Sequence, residues 1–287
     1  MKFLDSHPHT SVLKPFFVDY IETYLEKYFN EVVQLVNPKN EIEEKALFFF
    51  TKSVNTLKSI NLLFKTGDIV SARILMRTIF EMKILTKKMI LDKEVFLKYS
   101  KAFEHFKAIE ALKFALEMAK KGEKLPFFNN EEKLESEIKE REEEITLLGF
   151  VPTWNKTSGK PHVVSYFEIK ELAVAADAEF EYNSMYKNLC MDTHTSSGHF
   201  YKYFVKDSDD NLILNLHPYL HELDLMIGQL IWFIIDFIDD FCLLTNLDPN
   251  NLANLQLSKL QRLVYENLPR LMMLGELKKN NIYFKTL

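Results

Sequence analysis

Glycine is scarce in this chain, at 7 of 287 residues. Rossmann, P-loop and β-sandwich folds use glycine in their tight turns, so the shortage argues against all three. Proline stops at 9. Cysteine is limited to Cys190 and Cys242, which suits a reducing cytoplasm better than a secreted, disulfide-held protein. Positive charge is not in excess: 36 Lys and Arg face 41 Asp and Glu, for a net charge of −5. Any contact with RNA or DNA is therefore expected to be local rather than a general basic coat. Long apolar runs are missing too. The most hydrophobic stretch, Leu230 to Leu244, is interrupted by Asp236, Asp239 and Asp240. A membrane-spanning helix needs about 20 mostly apolar residues and does not tolerate such carboxylates at its middle. A buried amphipathic helix is expected there, with no membrane contact. The first residues hold no apolar run long enough for a signal peptide.

What the sequence does have is helical spacing nearly everywhere. It predicts an all-α, bundle-like single domain over 1–287, with about nine or ten helices. The N-terminal helix is expected over 14–36, the core over 41–246 and the C-terminal helix over 251–274. Asn37-Pro38 ends the first helix, and Thr66-Gly67 closes a second that starts at Glu41. Asp68 can cap a third helix, which runs to Leu91. A fourth spans Lys93 to Lys121, before Gly122 and Pro126. Glu131 to Leu148 interleaves Glu, Lys and Arg, as a solvated helix face or a hairpin arm does. The segment 149–161 holds Gly149, Pro152, Trp154, Gly159 and Pro161 and reads as an internal loop. A domain split near residue 150 is the alternative. Shorter helices are expected over Ser165 to Ala178 and Glu181 to His194, then a polar turn over Asp207 to Asn211. A long apolar helix follows from His217 to Asn246. No stretch alternates with period two for long enough to make a convincing strand.

Arginine is the rarest charged residue, with five against 31 lysines. Two of the five, Arg73 and Arg77, lie one helical turn apart, and Glu81 follows after another turn. Spacings of four set all three on one stripe. The same helix carries Ile69, Leu75, Met76, Ile79 and Phe80, so it is largely buried. Arginine in such a place points to planar, multidentate bonding. Two readings follow. One is an internal Arg–Glu network that locks neighbouring helices. The other is an anion or phosphate seat.

A second unusual segment runs from Tyr182 to Phe200. Tyr182, Tyr186, Cys190 and His194 recur every four residues and so share a face. Lys187 lies two turns before His194, and His199 follows a break at Thr195 to Gly198. Histidine is the side chain best suited to move protons near neutral pH, and a nearby cation can stabilise negative charge on phosphorus. The hydroxyls of Thr195, Ser196 and Ser197 can cap a helix or bind an anion. The alternative is a histidine hydrogen-bonded at a helix end with serines as caps.

Other chemistry finds little support. His217 and His221 have a metal-compatible spacing, but the run is His-Pro-Tyr-Leu-His-Glu and no third ligand stands out. The Glu-x-x-His pairs of di-iron bundles are missing. Asp236, Asp239 and Asp240 form a single acidic cluster without the matching second one that a magnesium site needs. Walker A, G-x-G-x-x-G and G-x-S-x-G motifs are absent from the sequence. Neither a metal nor a cofactor is expected.

The two segments together resemble a family of bacterial and archaeal helical proteins classed as a domain of unknown function. In that family an early helix carries Arg-x-x-x-Glu, a tryptophan-containing loop follows, and then comes Tyr-x-x-x-Tyr-Arg-x-x-Ser-x-x-x-His-x-Ser. Here the first motif runs from Ala72 to Glu81, the tryptophan is Trp154, and the second motif supplies Tyr182, Tyr186, Lys187, Cys190, His194 and Ser196. Lys187 stands where arginine is usual and Cys190 where serine is usual. An arginine ahead of the histidine would resemble the Arg-x(4–6)-His motif of HEPN ribonucleases. Those are all-α, usually dimeric, metal-independent enzymes of toxin–antitoxin and phage-defence systems. The resemblance implies a HEPN-like RNA-directed protein, with RNA, an antitoxin or other protein partner, and a second copy as partners. The catalytic candidates are His194 as acid/base with Lys187 and Arg77 on phosphate. The binding candidates are Arg73, Glu81, Tyr186, Ser196, Ser197 and His199. The alternative is a non-catalytic binding or scaffold protein in which the Arg–Glu–His cluster is a structural network.

Overall fold

The first helix starts on a cap from more than 200 positions further along the chain. The Asp224 carboxylate accepts hydrogen bonds from the backbone N–H groups of Val12 at 3.1 Å and Leu13 at 3.0 Å, and from the Ser11 hydroxyl. A helix N-terminus leaves its first N–H groups without partners, and here a buried carboxylate supplies them. The computed structural model describes residues 11–123, 130–152, 167–193, 204–206, 209–214 and 223–267. Helix α1, Leu13–Tyr20, places Pro15 in its first turn, where no helical hydrogen bond is lost. It passes through a π-helical segment, Ile21–Leu25, into α2, Glu26–Leu35. The extended backbone of Val36 ends it ahead of Pro38.

The long helices follow their caps closely. Asn40 accepts from Glu43 N at 3.1 Å to open α3, Glu41–Thr66. Gly67 closes it with φ +83°, and Asp68 N reaches back to Leu63 O at 2.9 Å. Asp68 then caps α4, Ile69–Leu91, through Ser71 N at 3.0 Å. Asp92 opens α5, Lys93–Lys120, and Asn130 opens α6, Glu131–Leu147. Helix α7 is Ile169–Ala175. Helix α8, Glu179–Glu181, runs through a second π segment, Tyr182–Tyr186, into α9, Lys187–Thr193. Strands β1, Phe204–Lys206, and β2, Leu212–Leu214, form an antiparallel pair with Val205 opposite Ile213. Helix α10 is Leu223–Thr245, a 3₁₀ segment covers Pro249–Leu255, and α11 follows over 257–267.

The chain is all-α, as its spacing predicts, with one small ribbon added. That ribbon flanks the expected polar turn, and three residues per strand are too few for a readable alternation. The short helix expected over Ser165 to Ala178 is confined to α7 among the described residues. Trp154, His217 and His221 lie outside the described residues. No helix among the described residues is long and apolar enough to cross a membrane.

By its contacts the chain divides into two compact units, Met1–Ile90 with Glu179–Leu287, and Leu91–Ala178. In the first, α3, α4 and α10 carry the core. Phe50 stacks on Phe241 at 4.2 Å between ring centroids, and Phe80 packs on Phe233 at 5.7 Å. Each such side chain removed from water contributes about 1.5–3 kcal/mol. Helices α4 and α10 run parallel in one fixed register. Arg73 meets Met226, Phe80 meets Phe233, Lys83 meets Asp236 and Lys87 meets Asp240, every pair 153 positions apart.

The second unit is a helical hairpin of α5 and α6. Phe106, Ile109, Leu112 and Ala115 pack against Leu134, Ile138 and Ile145, with Phe150 at one end. Lys113 pairs with Glu142 and Lys120 with Glu135 along the outside. The charged stretch of α6 is thus the wet face of a hairpin arm, its three buried residues being Leu134, Ile138 and Ile145.

Candidate functional site

Helix α4 brings Arg73, Arg77 and Glu81 to the side of the first unit where the Tyr182–Tyr186 segment packs. Spacings of four place the three on one stripe, but they meet different surroundings. Arg73 is only 2% exposed, with one Nη 3.5 Å from the Met226 sulfur. Arg77 lies at the margin, its side chain 29% exposed.

Arg77 is held on one side only. Its Nε–H donates to Glu81 Oε1 at 2.8 Å and to the Tyr186 hydroxyl at 3.2 Å. The Tyr186 hydroxyl in turn donates to the same Glu81 oxygen at 2.6 Å. Burial works against the charge on Arg77, yet the bonds to Glu81 and Tyr186 outweigh it and raise the pKa, so the guanidinium stays charged. Burial and the neighbouring Glu81 push the Tyr186 phenol well above its usual range, so it stays protonated and remains a donor to Glu81. Both Nη atoms lack a hydrogen-bond partner among the described residues, and neither is sealed from solvent. A guanidinium fixed by Nε with its Nη edge open has the fork geometry that grips carboxylate or phosphate.

Tyr186 ties the triad to an aromatic ladder. Its ring lies 5.0 Å from Phe80 on one side and 5.3 Å from Tyr182, which it stacks upon at 24°. The Arg77 guanidinium carbon sits 5.4 Å from the Tyr186 ring centroid. The backbone turn between the two rings is wide. Lys187 N–H bonds to Tyr182 O, an i→i+5 step that widens the turn. Single π turns of this kind are frequent at functional sites. Lys187 is exposed, and its Nζ lies 5.6 Å from the Tyr182 ring centroid. The structure thus brings together Arg77, Glu81, Tyr182 and Tyr186, with Lys187 beside them. Cys190 is half-buried and close enough to Tyr186 to raise its pKa. His194, Ser196, Ser197 and His199 lie outside the described residues, as does Thr195. Helix α9 is described as far as Thr193, one residue before His194.

Further along the same α4 helix, two lysines pair with aspartates of α10. Buried Lys83 pairs with Asp236 at 2.7 Å, and Lys87 pairs with Asp240 at 2.8 Å. Two of the three clustered aspartates, Asp236 and Asp240, are therefore spent on lysines. Asp240 Oδ2 remains buried without a hydrogen-bond partner. Burial raises the Asp240 pKa against the opposing pull of Lys87. No group of three or more His, Cys, Asp or Glu among the described residues is placed to hold a metal ion. Sequence reasoning missed the Lys83 and Lys87 pairing, although Lys-x-x-x-Lys and Asp-x-x-x-Asp share one helical period.

Residues 43–212 match the family of unknown function DUF5677. The match runs from α3 to β2 and covers more than half of the chain, so the protein belongs to this family. No curated protein and no solved structure matches the chain.

Proposed function

We propose that this protein is a HEPN-like, RNA-directed protein acting as a metal-independent ribonuclease in the cytoplasm, within a toxin or phage-defence system. The observation that carries the reading is the open Nη edge of Arg77, held in place by Glu81 and Tyr186. A phosphodiester has the charge and the paired oxygens that such an edge binds. In this reading His194 takes the proton of the ribose 2′-hydroxyl and Arg77, with Lys187, stabilises the charge that develops on phosphorus. Arg73 holds α4 against α10, and Ser196, Ser197 and His199 contact the substrate backbone. RNA, an antitoxin-like protein and a second copy of the chain are its partners.

The test is incubation of the pure protein with mixed cellular RNA in the presence of EDTA, beside a His194→Ala control. Wild type cleaves and His194→Ala does not, while both melt at the same temperature. Equal cleavage by the two proteins, or none by wild type, overturns the reading.

A second reading has its own support. The Glu81 and Tyr186 bonds and the fixed α4–α10 register also suit a scaffold in which the cluster only joins helices. It predicts that Arg77→Ala lowers the melting temperature by several degrees and changes no RNA-dependent property.

A further inference from the structure

We infer that Tyr182, Tyr186, Arg77 and Lys187 form a seat for one unpaired nucleotide, its base stacked at Tyr182 and its phosphate on the Arg77 Nη edge. This deepens the reading above by naming what the site accepts, and it rests on that reading only for the identity of the strand as RNA. Tyr182 is half-buried and stacked on Tyr186 at 5.3 Å, while Tyr186 is itself buried against Phe80. The ladder therefore has a fixed inner end and a reachable outer ring. A rigid, partly exposed ring is what an unstacked base needs, because every base has a π-face to lay on it.

The cations are placed to complete the seat. Arg77 sits 5.4 Å from the Tyr186 centroid and Lys187 Nζ 5.6 Å from that of Tyr182. Arg77 is immobilised, so its open edge offers directed bonds. Lys187 is exposed and unbranched, so it can swing from the ring onto a phosphate when a base arrives. Glu81 carries negative charge at the same place, but its Oε1 is committed to Arg77 Nε and the Tyr186 hydroxyl. The ribbon of aromatic and cationic groups is short. It fits one base and its phosphate, and a duplex keeps its bases stacked inside and cannot use it. The acidic balance of the whole chain agrees with such a local contact, since broad electrostatic binding would need a basic surface.

The test uses the full-length protein and a fluorescein-labelled, 2′-O-methyl oligouridylate of 12 nucleotides, which cannot be cleaved through a 2′-hydroxyl. Binding is read by anisotropy in about 50 mM salt, where phosphate contacts are strong. Wild type binds the single strand and binds its duplex with the complementary strand far more weakly. Tyr182→Ala weakens binding about tenfold, and Tyr182→Phe, which keeps the ring, binds as wild type does. Competition by uridine monophosphate assigns the seat to a free nucleotide, and competition only by the longer strand assigns it to a chain; both support the seat. Binding unchanged in Tyr182→Ala, or equal binding of duplex and single strand, overturns it. Because the probe cannot be cleaved, loss of this seat and loss of ribonuclease activity are read separately. Tyr182-dependent binding without cleavage of natural RNA removes the enzyme and keeps the seat; cleavage unaffected by Tyr182→Ala does the reverse.

Discussion

Arg77 and Tyr186 meet across 109 positions of sequence, the Nε–H of one donating to the hydroxyl of the other at 3.2 Å. Both also converge on one oxygen of Glu81. Two donors share a single acceptor, and the guanidinium is left with its outer edge toward solvent. This arrangement differs from a sealed helix-joining ion pair, in which the Nη donors are also spent inside the protein.

Removing the Tyr186 hydroxyl tests how much of the triad is stability. Tyr186→Phe keeps the stacking on Phe80 and Tyr182 and loses the bonds to Glu81 and Arg77. A neutral hydrogen bond contributes about 1 kcal/mol net, and one to a charged group somewhat more. The expected outcome is a loss of about 1–2 kcal/mol in urea unfolding followed by circular dichroism. RNA binding falls as well, since Arg77 then loses a positioning partner.

The α4–α10 register gives an asymmetric pair of outcomes. Lys83 is buried, whereas Asp236 is more than a third exposed. Asp236→Ala leaves a buried ammonium without its partner, and a cost of about 2 kcal/mol is expected once partial solvation of the pair is allowed for. Lys83→Met removes the buried charge and fills the same space, so it is close to neutral. Thermal melts of the two variants check the ordering.

Asp240 predicts a pH dependence of definite sign. Burial raises its pKa in the folded protein, and Lys87 opposes this without cancelling it. The folded state then holds the proton at pH values where the unfolded chain has released it. Stability attributable to this group is therefore lost as pH rises from the ordinary carboxyl range through the folded pKa. Asp240→Asn cannot ionise. Its melting temperature relative to wild type increases as pH is raised from about 4 to 7. A difference that moves the other way contradicts the assignment.

Cys242 is a quiet thiol. Burial, then the nearby carboxylates of Asp239 and Asp248, push its pKa up to about 11. Native protein treated with iodoacetamide at pH 8 is expected to leave Cys242 unmodified, and mass spectrometry after digestion reads this directly. Labelling becomes fast only in denaturant.

The long helices were legible because their caps and periods agree. Asp68 caps its helix as the sequence suggests, and Asn40, Asp92 and Asn130, which were not singled out there, accept the same kind of backbone bond. The stripe of Arg73, Arg77 and Glu81 was legible for the same reason. The different fates of its arginines were not, since Arg73 is buried where it meets Met226, 153 positions away in sequence. The π turn at Tyr182–Tyr186 was also hidden. It shifts one backbone bond from i+4 to i+5 and leaves no mark on residue types. The β1–β2 ribbon escaped because three-residue strands carry no period.

In the proposed ribonuclease Arg77 binds the phosphate that is cleaved, and single-turnover cleavage of a defined RNA by Arg77→Ala tests this most directly. The expected outcome is a fall in rate of about 100-fold or more, the usual loss for one donor to a developing oxyanion, with a cooperative melt that shows the protein folded. Cleavage at the wild-type rate by a folded Arg77→Ala protein would contradict it.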